Sequence, residues 1–145
     1  MTERRLSIRP SDLVWRDQPA LASGAKFAVA LGDLSGTGRY VFRLRAPAGH
    51  RAMPHTHPDE RIYTVLSGTF FLGWGEGYIE SRLEEYPEGS VVLVRADRHH
   101  FQAAKAGEYV LQIEGEAPTA VTYVNAKDDP RTAAPGRPAD PGASG

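Results

Sequence analysis

Short runs of β-branched and aromatic residues alternate with glycine- and proline-bearing breaks along most of this chain, which reads as strands joined by tight turns. The strand candidates are 26–34, 39–45, 61–66, 69–74, 78–83, 90–94, 99–103, 108–114 and 119–124. Between them lie Gly36 and Gly38, Pro47-Ala48-Gly49, Ser67-Gly68, Gly75-Glu76-Gly77, Pro87-Glu88-Gly89 and Lys105-Ala106-Gly107, all with turn chemistry. No amphipathic helical period of ten or more residues appears, and 11–16 offers at most one capped turn. Many short strands at even spacing predict an all-β sandwich or barrel.

The pattern stops near Ala126. Lys127-Asp128-Asp129-Pro130 leads into a tail of proline, alanine and glycine with almost nothing to bury, so 126–145 is expected to be disordered. The division that follows is an N-terminal arm over 1–23, a barrel over 24–125 and the tail. There is no internal repeat.

Composition narrows the function classes. The 145 residues carry seventeen basic against eighteen acidic side chains, a balance that argues against nucleic-acid binding. Cysteine is absent, which removes disulfides, thiolate zinc sites and a cysteine nucleophile. A metal would have to sit on nitrogen and oxygen. Arg4 and Arg5 are not followed by an apolar leader segment, and no run approaches the ~18 apolar residues of a membrane span. A cytoplasmic protein without membrane contact is expected.

All five histidines fall in two stretches, His50 to His57 and His99-His100. Burial alone would not gather one residue type in this way. Neutral imidazole is the commonest protein ligand for transition metals. His55 and His57 stand at i, i+2, which on a strand places both on one face, about 7 Å apart along the chain. A third histidine from a distant strand would close the site.

On these residues the chain resembles the cupin family. Gly49, His55, His57 and Gly68 stand where the first cupin motif has its glycine, His-x-His pair and closing glycine. Gly89 and His100 fit the second motif, whose proline and second glycine are replaced here by Arg95 and Asp97. The resemblance runs from about Gly24 to Val124, and is nearest to small cupins with a Gly-Asp pair such as Gly32-Asp33 before the first motif. It implies a double-stranded β-helix, a jelly-roll barrel, with His55, His57 and His100 around a divalent transition metal (iron, manganese, nickel or zinc). Three imidazoles leave open coordination positions, the layout of a catalytic site. The competing reading keeps the histidines as polar lining of a barrel that has lost its metal.

One position departs from the family. Where cupins have a glutamate ligand, seven residues before Gly68, stands Arg61. Glu60 is one place off and reaches the pocket only if a bulge at Pro58-Asp59 resets the alternation. An inward Arg61 would favour an anionic substrate, held as by a bidentate clamp. An outward one would pair with Asp59 or a neighbour. Tyr63 shares the parity of Arg61, and Gln102 that of His100; each is either a pocket group or plain lining. His50 and His99 are expected to be loop histidines outside the site. Gly73 to Gly77 reads as a hairpin turn, and Glu84-Glu85 as a solvated edge.

The expectation is a metal-dependent cupin enzyme acting on a small, anionic organic molecule. Dioxygenase chemistry is favoured because no proton shuttle is evident and because the layout is similar to three-histidine cupin dioxygenases. The alternatives are a metal-dependent isomerase, cyclase or lyase, and a non-catalytic binding or sensing cupin. The resemblance also implies a homodimer, with 6–22 as a contact.

Overall fold

The computed structural model describes residues 7–132. Eleven strands form two antiparallel sheets: β1 (Arg16–Asp17), β2 (Lys26–Leu31), β3 (Gly38–Ala46), β4 (Arg51–Thr56), β5 (Arg61–Ser67), β6 (Phe70–Trp74), β7 (Glu84–Tyr86), β8 (Val91–Val94), β9 (His100–Ala103), β10 (Tyr109–Ala117) and β11 (Thr122–Tyr123). One sheet runs β1-β2-β3-β10-β5-β8 and the other β11-β4-β9-β6-β7. Among the described residues there is no α-helix, only short 3-10 turns, and no helix is long and apolar enough to cross a membrane.

Strand alternation builds the core. Along β3, Tyr40, Phe42, Leu44 and Ala46 are buried, while Arg39, Val41, Arg43 and Arg45 face the other way. β10 lies beside it with Leu111 opposite Leu44 and Ile113 opposite Phe42, and its other edge meets β5 with Ile113 opposite Tyr63. Phe70 and Leu72 close the space from the second sheet, with Ala52 and Ala104 in the same core, while Phe101 is buried on the opposite face of β9 against Tyr78. The inner faces of two sheets thus share one core, as a jelly roll requires. Gly68, exposed in the turn between β5 and β6, has φ +75°, and a Cβ there would collide with the Glu108 carbonyl oxygen.

Several expectations change. The segment 51–56, which the hydrophobic pattern passes over, is β4 and carries His55. Its Pro54 lacks an N–H, and a register shift between Ala52 and His55 breaks the alternation that marks a strand. The strand expected at 78–83 is a 3-10 turn, Glu80–Arg82, followed by β7, because its polar residues stay in solvent. The strand expected at 119–124 shrinks to β11. The N-terminal arm contributes β1, which pairs with β2, Arg16 opposite Phe27. Within the 126–145 tail, Ala126–Asp128 and Pro130–Thr132 are 3-10 turns, the first capped by the Asn125 side chain accepting from the Lys127 N–H at 3.0 Å; 133–145 lies outside the described residues.

Candidate metal centre

β4 and β9 bring the first two histidines face to face. His55 and His100 are direct cross-strand partners, with ring centroids 4.3 Å apart. The register shift after Ala52 makes this possible, since both Ala52 and His55 then face inward despite their odd spacing. His57 follows the end of β4, where its carbonyl accepts the Asp97 N–H at 2.8 Å. Asp97 has φ +59°, so at the position of the family's second glycine this chain uses an aspartate in the left-handed conformation. The His57 ring centroid lies 5.0 Å from each of the other two. The ring nitrogens the three offer lie within 4.8 Å of one another, and all three residues are buried.

Hydrogen bonds fix which nitrogens those are. Nδ1 of His55 lies 2.6 Å from the Met53 carbonyl, Nδ1 of His57 is 2.8 Å from the Ala120 carbonyl, and Nδ1 of His100 is 3.0 Å from the Arg98 carbonyl. A carbonyl only accepts, so each Nδ1 carries the proton and each Nε2 presents a lone pair. Burial also keeps the rings neutral. It pushes the pKa of His55 and His57 well below the ordinary histidine value and that of His100 down to about 4. Nε2 of His100 is buried with no hydrogen-bond partner, a vacant donor position that fits a metal ion. At metal–nitrogen distances of ~2.1 Å two ligands lie at most ~4.2 Å apart, so rings separated as these are would draw together slightly around an ion.

The fourth position belongs to Arg61. β5 alternates cleanly, with Arg61, Tyr63 and Val65 buried and Ile62 exposed. No bulge turns Glu60 inward; it is exposed, 3.6 Å from Arg95. Nη1 of Arg61 lies 3.4 Å from Nε2 of His57 and 3.3 Å from the Tyr63 hydroxyl, which is itself 3.3 Å from that Nε2. Nη2 donates to Thr119 Oγ1 at 2.8 Å. The two orientations weighed for Arg61 are in part both realised: it points inward, and its Nε is 3.8 Å from Asp59 Oδ1.

Asp59 anchors this corner, accepting from the Tyr40 hydroxyl at 2.5 Å, the Thr119 hydroxyl at 2.6 Å and the Glu116 N–H at 3.1 Å. Burial opposes the charge on Arg61, but interaction with Tyr63, Tyr40 and Asp59 outweighs it, and the guanidinium stays protonated. Burial raises the Tyr63 pKa, with Arg61 pulling the other way, so the phenol keeps its proton at neutral pH.

Gln102 also faces inward from β9 and donates from Nε2 to the Tyr109 hydroxyl at 2.9 Å, while its Oε1 has no partner. With His55, His57, Arg61 and Tyr63 it lines a cavity walled by Phe42, Leu44 and Ile113 and capped by Gln18, Leu21 and Val121. The free space is about 30 Å³. Space of that size holds about one or two water molecules. The cap is tied down twice, by the Tyr123 hydroxyl donating to the Ala20 carbonyl at 2.6 Å and by His50 Nε2 donating to the Ala22 carbonyl at 2.9 Å. His50 therefore stands outside the three-histidine cluster, as does the partly exposed His99.

Sequence reasoning overlooked Asp59 as a site group, and Thr119, Tyr40 and Leu21 altogether. For Asp59 a signal existed: it precedes Arg61 by two positions and so shares its parity. Thr119 opens the segment expected as a strand but lies in the loop before β11, and Leu21 lies in a loop, so no alternation reports either as a site neighbour.

No protein-family model and no curated protein matches the chain. Solved structures do. A polyketide cyclase, RemF, from Streptomyces resistomycificus superposes with a TM-score of 0.67 at 18% identity, covering 90% of each chain. A cupin 2 conserved barrel domain protein from Rhodopseudomonas palustris gives 0.63 at 13% identity, over 90% of this chain and 92% of the other. The DMSP lyase DddQ from Ruegeria pomeroyi gives 0.60 at 17% identity, over 78% of this chain and 61% of the other. Likeness at such identities establishes the fold alone: this chain folds as a small cupin-like barrel.

Proposed function

We propose that this cupin is a metal-dependent enzyme acting on a small organic anion, with His55, His57 and His100 as metal ligands and Arg61 as the anion's clamp. The observation that carries the reading is the buried guanidinium of Arg61, beside His57, in the position of a carboxylate ligand. Three neutral imidazoles leave a bound divalent ion with its full charge of about +2, and the guanidinium adds to it. Asp59 offsets only part of this at 3.8 Å. A carboxylate or enolate entering the cavity would balance the remainder. Arg61 and Tyr63 would donate hydrogen bonds to its oxygens, charge-assisted in the case of Arg61.

A bound divalent ion would supply Lewis-acid polarisation and, if it is iron, a site for dioxygen chemistry. Among the residues lining the cavity there is no carboxylate. With no carboxylate to act as a general base beside the histidines, oxygen-dependent oxidation is the first reading. Substrate would enter as Gln18 and Leu21 move aside.

A second reading has its own support. The Tyr63 hydroxyl lies 3.3 Å from Nε2 of His57 and is a proton donor at the right place for cyclase, isomerase or lyase chemistry. A polyketide cyclase and DMSP lyases are among the proteins of similar fold. Iron(II)- and zinc(II)-loaded protein, offered a panel of small carboxylic acids and diketones with and without oxygen, tests both. Oxygen uptake coupled to substrate loss with iron alone supports the first. Turnover without oxygen, with either metal, supports the second. Binding without turnover under every condition would overturn the enzyme reading.

A further inference from the structure

We propose that Gln102 is a second recognition point in the metal cavity, matched to the hydroxyl group of a hydroxylated acid. The inference rests on the reading of the cavity as a site for a small organic anion, and it names which anion. Arg61 and Tyr63 present donors only toward a carboxylate. Gln102, on a different strand, presents the opposite function. One N–H of its amide is donated to Tyr109 at 2.9 Å, and Oε1 is a buried acceptor without a donor among the described residues.

A buried acceptor left unpaired is costly, and native structures seldom tolerate one without a reason. Gln102 is 3% exposed and lines the same cavity as His55, His57, Arg61 and Tyr63. Between these groups the walls are Phe42, Leu44 and Ile113, which offer no hydrogen bonds. With Gln18 and Leu21 moved aside to enlarge this small space, the ligand that satisfies all of them has a carboxylate at one end, a short apolar body, and a hydroxyl at the other. A site built to bond a hydroxyl discriminates strongly against the analogue that lacks it.

The test is calorimetric titration of the zinc-loaded protein with γ-hydroxybutyrate against butyrate, and meta-hydroxybenzoate against benzoate. At least one hydroxylated acid should bind about fivefold or more tighter than its parent. In Gln102→Leu that preference should vanish while the parent acid keeps its affinity. Gln102→Met, closer in length, serves if the leucine variant does not fold.

Equal affinities within both pairs in the unaltered protein would overturn the proposal. So would a preference that survives in the variant, since the hydroxyl would then be bonding something else. Tighter binding of the keto acid levulinate than of γ-hydroxybutyrate would also overturn it, by placing the amide N–H in the cavity. If no acid binds at all, the anion-site reading fails together with this one; if the acids bind without regard to hydroxyl, only this one fails.

Discussion

Nη1 of Arg61 lies 3.4 Å from Nε2 of His57, so a permanent cation borders the lone pair of a proposed metal ligand. The contact sets two demands against each other. A metal ion wants the His57 lone pair and is repelled by the guanidinium. An organic anion is attracted by both. Metal and anion should therefore bind cooperatively, each raising the affinity of the other by the same factor.

Arg61→Glu should reverse the balance. The glutamate would stand where cupins carry a carboxylate ligand, and metal affinity should rise by about tenfold or more as repulsion is replaced by coordination. Affinity for small acids should fall below detection. Competition with a chromogenic chelator reads the first effect, and calorimetry with acetate or butyrate the second. Unchanged acid binding would remove Arg61 from the role given to it.

Asp59→Asn should destabilise the fold by about 3 kcal/mol, because it leaves the buried Arg61 without its counter-charge. The same change should be visible at Tyr40. Burial pushes that phenol up to about 12; Arg61 pulls it down, and its bond to Asp59 adds to the rise. With asparagine the contribution of the carboxylate is gone, and one phenol in the upper part of the ultraviolet tyrosine titration should move to lower pH. Denaturant unfolding checks the stability.

Acid should destabilise the metal-free protein over a defined window. His55, His57 and His100 all have folded-state pKa values below the 6.5 of an unperturbed histidine, through burial first. Below pH 6.5 the unfolded chain takes up protons that the folded one refuses, so stability falls as pH falls. The loss should continue at least to about pH 4, where His100 titrates. A bound metal, which prefers folded protein with neutral imidazoles, should raise stability throughout the upper part of that window. Urea midpoints at a series of pH values, with and without zinc, measure both.

Leu21→Ala should open the cap. Leu21 is buried against the core, and its truncation should cost about 2–3 kcal/mol. The cavity it covers would widen, so small acids should associate faster in stopped-flow mixing even as the protein becomes less stable. An unaltered association rate would mean that the acids enter by another route.

Much of this was legible in the chain. The clustering of His55, His57 and His100 could be read, the first two from their i, i+2 spacing and His100 from the resemblance to the second cupin motif. The β-rich architecture could be read from the turn residues between short apolar runs. The strand β4 could not, since Pro54 and the register shift beside it hide the alternation. The orientation of Arg61 was likewise open, because 61–66 is apolar on both parities and only pairing with β8 and β10 fixes which face turns inward. The Asp59 anchor depends on Thr119 and Glu116, about sixty residues away, and no local pattern reports such a contact.

The central claim is that three imidazoles hold one metal ion, and elemental analysis of tag-free protein beside His57→Ala tests it most directly. The account expects close to one transition-metal ion per chain in the parent protein, after purification or after loading with a divalent ion and desalting, and little or none in the variant. Absence of metal from both, even after loading, would contradict it, as would equal metal in both.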